Sequence, residues 1–185
     1  MERYVAFLRA INVAGHATVK MTDLKGAFAS AGCQNVGTFI QSGNVIFESA
    51  EKKKGVLFQN IQTELRDLIG DEPVLVTRTV SELDRIRKAA PFTRSQVGSD
   101  AKLYVAFLAR KPARKPRFPL VEPKEALEAV AMTDREVFVV SRRKKNGFYG
   151  FPNNFIEKEL GVAATTRNWS TVTRILEIVR KNADG

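Results

Sequence analysis

Two cationic runs are the first stretches of this chain with an evident chemistry. "RKPARKPR" supplies Arg110, Lys111, Arg114, Lys115 and Arg117, and "SRRKKNG" supplies Arg142, Arg143, Lys144 and Lys145, with no acid inside either run. Guanidinium and ammonium groups at this density suit phosphates, which they neutralise while releasing counterions. Pro112 and Pro116 stiffen the first run and lower the entropy lost on binding. Just beyond the second run, "GFYGF" offers Tyr149 as a stacking surface, loosely like the aromatic strand of RNA-recognition domains. The same aromatics could equally serve a core, where ring area counts most.

A second group is polar without being cationic. Arg9, Asn12, Gln41, Ser42 and Asn44 combine donors and acceptors with no general base, which suits a hydrogen-bonded turn or an anion pocket. His16 and Lys20 share that first loop. A third group is "TTRNW": Arg167 could meet an anion or an internal carboxylate, Asn168 or Ser170 could cap a helix, and Trp169 could stack or fill a core. With His16 the only histidine and Cys33 the only cysteine, two-imidazole chemistry, a histidine-rich metal site and an intrachain disulfide are excluded. No phosphate loop, dinucleotide fingerprint or catalytic triad spacing is present, and neither a cofactor nor a metal is expected.

The elements that must position these groups repeat. "YVAFL" stands at Tyr4–Leu8 and again at Tyr104–Leu108; "TRTVSELDRI" from Thr77 is echoed by "TRNWSTVTRI" from Thr166. Two echoes in the same order point to tandem copies of one unit. In the first half, "RYVAFLRAIN" reads as a strand. "MTDLKGAFASAG" reads as a helix capped by Thr22 and ended at Gly32, and "NVGTFIQ" and "NVIFES" as a hairpin turning through Ser42-Gly43. "VLFQNIQTELRDLIG" reads as a helix and "VLVTRTV" as a strand. In the second half, "KLYVAFLAR" reads as a strand, "EPKEALEAVA" as a helix opened by Pro123, and "EVFVVS" with "GFYGF" as a hairpin. "NNFIEKELG" completes it as a helix and "AATTR" as a strand.

The expectation is therefore an α+β protein of two tandem ferredoxin-like units (βαββαβ, the alpha-beta plait), each followed by an extra helix. The units are expected at 1–80 and 101–168, with a connecting helix and loop at 81–100 and a C-terminal helix at 169–185. In "YVAFL" both faces are apolar, so helices should cover one face and the other half, or a second subunit, the other. In this topology the first strand ends beside the hairpin of strands two and three. The two cationic runs should then meet on one rim of the second unit.

The combination of "RAINVAG", "QSGN" and "TRNW" resembles the bacterial domain-of-unknown-function family 1697, over nearly the whole chain. Ala10 and Ala14 stand where such proteins often carry glycine. The resemblance implies a pair of ferredoxin-like units and no activity.

The formal charge of +10 favours polyanionic partners, and nine of the cations lie in the two runs. No uninterrupted apolar run is long enough for a membrane span, the opening residues lack a signal peptide's cleavage region, and a reducing cytoplasm is expected. Three functions stay open: a nucleic-acid or other polyanion binder, a binder or enzyme for an anionic small molecule, and a dimerising interaction module. The sequence leaves the oligomeric state open.

Overall fold

A computed structural model describes residues 1–9, 19–40, 43–70, 73–92 and 97–181. The chain divides into two compact units, Met1–Glu82 and Leu83–Gly185. Five α-helices and two antiparallel sheets among the described residues make it an α+β protein.

The first unit runs β1 (Glu2–Leu8), α1 (Met21–Ser30), β2 (Gln34–Phe39), β3 (Asn44–Ser49), α2 (Lys54–Ile69) and β4 (Leu75–Thr79). Its strands pair in the order β2-β3-β1-β4. Tyr4, Ala6 and Leu8 of β1 join the core formed with α1 and α2, whereas Val5 and Phe7, also buried, point to the other face. Leu57, Ile61 and Leu65 form the buried stripe of α2, each contributing about 1.5–3 kcal/mol of apolar burial. Tyr4 stacks on Phe47, whose ring also meets Phe28 at 5.2 Å between centroids. Helix α1 begins two residues earlier than Thr22 would set it: the cap position is Lys20, and Thr22 Oγ1 donates to Asp23 instead. Gly32, at φ +86°, does follow the helix end, where a left-handed residue is needed.

Helix α3 (Val80–Lys88) leads into the second unit. Its cap is Thr79: the Glu82 amide donates to Thr79 Oγ1 (3.1 Å), and the Thr79 amide to the Glu82 carboxylate (2.7 Å). This reciprocal pair satisfies two amides the helix itself leaves open.

The second unit runs β5 (Lys102–Leu108), β6 (Leu120–Glu122), a single 3₁₀ turn at Pro123–Glu125, β7 (Leu127–Met132), β8 (Glu136–Ser141), α4 (Asn153–Leu160), β9 (Ala164–Asn168) and α5 (Trp169–Lys181). Its sheet order is β6-β7-β8-β5-β9. Two expectations fail here. "EPKEALEAVA" is no helix but the β6–β7 hairpin, turned by Ala126 at φ +53°, with Leu127 and Ala129 buried at strand spacing. Consequently β8 pairs with β7, and "GFYGF" is not its partner strand. Where the first unit has α1, the second has the extended stretch 109–119, and Phe118 from it packs on the core of Tyr104, Ala106 and Leu108.

Val172, Ile175, Leu176 and Val179 form the buried stripe of α5. Asp84 of α3 pairs with Arg87, with Lys88 (2.9 Å) and with Arg180 of α5, fastening the two helices. Hydrogen bonding from Lys88, and then from Arg87, holds the Asp84 carboxyl below its ordinary value.

Candidate functional site

The antiparallel register of β5 and β8 decides where the cations lie. Lys102 faces Ser141 and Phe107 faces Glu136, so β8 ends where β5 begins. The second cationic run leaves β8 at that end. The first run leaves β5 (Lys102–Leu108) at the other end, about 20 Å away at roughly 3.4 Å per residue. There the Arg110 guanidinium donates to the Gly161 carbonyl (3.3 Å) and Lys111 pairs with Asp134 (3.0 Å). Arg114, Lys115 and Arg117 follow on the way to β6, exposed and without an acidic partner among the described residues. The expected common rim does not form. The hairpin that β8 forms is with β7, its turn at 133–135, so the basic stretch is the β8–α4 connection.

That connection, residues 142–152, is a small built structure. Lys144 and Phe148 are joined through their backbones (2.8 Å), Gly147 at φ +85° turns the chain, and Arg143 Nε donates to the Gly147 carbonyl (3.1 Å). Three contacts tie it down. Ser141 Oγ donates to the Gly150 carbonyl (2.9 Å), Tyr149 Oη to the Asp100 carbonyl (2.5 Å), and Lys102 Nζ lies 4.4 Å from the Tyr149 ring centre. Gly150 sits so close to Glu125 that a Cβ would lie 2.3 Å from its carbonyl oxygen.

Arg142 pairs with Glu128 (2.6 Å) and Lys144 with Glu125 (2.9 Å). Lys102, Arg143 and Lys145 have no carboxylate partner among the described residues. Phe148 and Phe151 are 70% and 59% exposed, far out of line with the other large apolar side chains of this unit except Val121. Phe151 rests edge-on against Tyr104, at 5.7 Å between ring centres. Tyr149, singled out from the sequence for stacking, is instead held down by its hydroxyl. Its neighbours in sequence are the presented rings. The sequence signal was there, in two phenylalanines three apart flanked by glycines and lysines.

The polar group of the first unit is brought together in part. Arg9 and Asn44 lie at the same end of the β1–β3 pair, as Phe7 faces Asn44 and the Leu8 amide donates to the Gly43 carbonyl (2.8 Å). Asn12, Gln41, Ser42 and His16 lie outside the described residues. Asn44 is fully buried and donates to the Phe39 carbonyl (3.0 Å), closing its own hairpin.

In the second unit, Arg167 Nη1 donates to Thr165 Oγ1 and to the Thr166 carbonyl, both at 2.9 Å, so the guanidinium folds back on its own strand. Burial lowers its pKa to about 10, which leaves it cationic at neutral pH. Asn168 is exposed at the start of α5, while Ser170 lies inside the helix and accepts from Thr173 through its carbonyl. Trp169 packs edge-on against Phe92 and Phe138, at 5.5 and 6.2 Å, as a core residue would. Among the described residues no cluster of His, Cys, Asp and Glu could hold a metal ion, and no helix is long and apolar enough to cross a membrane.

Residues 1–138 match the family model described as a protein of unknown function, DUF1697. The chain belongs to that family. Its match also covers the first unit and most of the sheet of the second. Among solved structures, the conserved bacterial protein SP0830 from Streptococcus pneumoniae aligns over 95% of this chain and 97% of its own, with a TM-score of 0.64 and 17% identity. That likeness is one of fold. No curated protein matches this DUF1697 member by sequence.

Proposed function

We propose that this DUF1697 protein binds polyanions through the β8–α4 connection of its second unit. The observation that carries the reading is a set of cations without acidic partners among the described residues: Arg143 and Lys145 on a stretch tied down at Gly150 and Tyr149, and Lys102 at the start of β5 over the Tyr149 ring. Fixed cations lose little entropy when they meet phosphates, and each contact releases a condensed counterion. Ion pairing of Arg142 and Lys144 with Glu128 and Glu125 narrows the surface compared with the full cationic run. The test is chromatography on immobilised heparin. The protein should be retained at 50 mM salt and released well before 1 M, and Arg143→Glu/Lys145→Glu should pass through. Retention of that variant equal to the parent protein would reject the reading.

The small-molecule alternative has less to support it. Asn44 is used in hairpin closure, half-buried Trp169 packs against Phe92 and Phe138, and Arg167 serves its own strand. We further infer that the two units are diverged ferredoxin-like copies, with boundaries near residues 80 and 100. Matching register supports this: Val5 faces Arg78 as Val105 faces Arg167, and Phe7 faces Asn44 as Phe107 faces Glu136. On this view the second copy has exchanged its first helix for the stretch 109–119 and the edge strand β6, with β7 standing where the first copy has β2. The reading places the protein in the cytoplasm, where its lone Cys33 stays reduced.

A further inference from the structure

We infer that the polyanion is single-stranded nucleic acid, with bases stacking on Phe148 and Phe151; this rests on the polyanion reading above. Two large aromatic side chains held in water are costly, because each forgoes the burial that rings normally supply. Here they are also held in place. Tyr149 and Gly150, the two residues between them, are anchored by the Asp100 carbonyl, the Lys102 ammonium, Ser141 Oγ and the close backbone of Glu125. Phe151 gains further support from Tyr104. A flexible loop could turn such rings inward, but this one has its central backbone fixed, so the exposure is built in.

Phosphate alone would need none of this. Cations suffice for heparin or polyphosphate, and duplex DNA keeps its base faces stacked on each other. A single strand presents both a charged backbone and free base faces, and aromatic platforms beside cations recognise that combination. Val121, the other exposed large apolar side chain among the described residues of this unit, lies on the three-residue edge strand β6.

The experiment compares three probes by fluorescence anisotropy at one low salt concentration: single-stranded dT15, a 15-base-pair duplex, and inorganic polyphosphate as a competitor. The proposal expects dT15 to bind at least tenfold more tightly than the duplex. Phe148→Ala/Phe151→Ala should weaken dT15 about tenfold or more while leaving polyphosphate competition against the duplex unchanged. Phe148→Ala alone, which removes only an exposed ring, should weaken dT15 about threefold or more and guards against misfolding of the double variant. If duplex and dT15 bind alike, or the Phe148→Ala protein binds dT15 as the parent does, the single-strand inference fails while the polyanion reading survives. If none of the three probes binds, both fail.

Discussion

Gly150 is the residue whose replacement has the most definite outcome. A methyl group there would meet the Glu125 carbonyl oxygen at 2.3 Å, and the obstacle is backbone rather than a side chain able to swing away. Gly150→Ala should therefore cost about 1–3 kcal/mol, read as a lowered midpoint in thermal or urea unfolding. Gly26 is the control of opposite sign: it lies exposed within α1, nothing approaches its would-be Cβ, and alanine there should stabilise by about 0.5–1 kcal/mol. The sequence marked "GFYGF" as aromatic but could not separate these glycines, because a close backbone approach comes from a segment some 25 positions upstream. The same limit applies to Arg167 and Trp169. Their types suit an anion or a stacked ring, and only the fold brings Thr165, Phe92 and Phe138 to engage them.

At the scale of elements, local signals succeeded where periodicity and propensity agreed. Strands β1 and β5, helices α2 and α5 and the Gly32 stop all read directly from residue type. The failure was "EPKEALEAVA", whose alanines, glutamates and lysine favour a helix while Leu127 and Ala129 follow a period of two. Two buried positions are too few to outvote the propensity of eight neighbours, and pairing with β8 settles the matter. The cap of α3 is Thr79, two positions before Ser81. Thr79→Ala should destabilise by about 1 kcal/mol and Ser81→Ala by far less in the same unfolding assay. The α3–α5 fastening gives a pH signature. Because the Asp84 carboxyl is held below its ordinary value of 3.8, its contribution is present above that pH and is lost as pH falls through the lowered folded value. Asp84→Asn should accordingly be less stable than the parent at pH 7, and the gap should close only below pH 3.8; an unchanged gap in strong acid would place the effect elsewhere.

For the whole molecule, the net charge of +10 is a poor guide to how tightly it holds a polyanion, because the charge is divided. One rim of nine cations would release many counterions together, whereas the register of β5 with β8 leaves the runs at opposite sheet ends. If the single-strand contact uses Lys102, Arg143 and Lys145, the plot of log affinity against log salt should slope by about −2, a loss of roughly twentyfold between 50 and 200 mM. Arg143→Ala/Lys145→Ala should flatten that slope by about 1.4, at about 0.7 per phosphate contact removed. Replacing Arg114, Lys115 and Arg117 by alanine removes more charge, lowering the net value further, yet should leave the slope as it is. Total charge acting at a distance would rank these variants by the number of cations lost; a fixed local site ranks them by position. A salt titration of dT15 with the two variants side by side distinguishes these rankings, and an equal flattening in both would return the binding to the molecule's overall field.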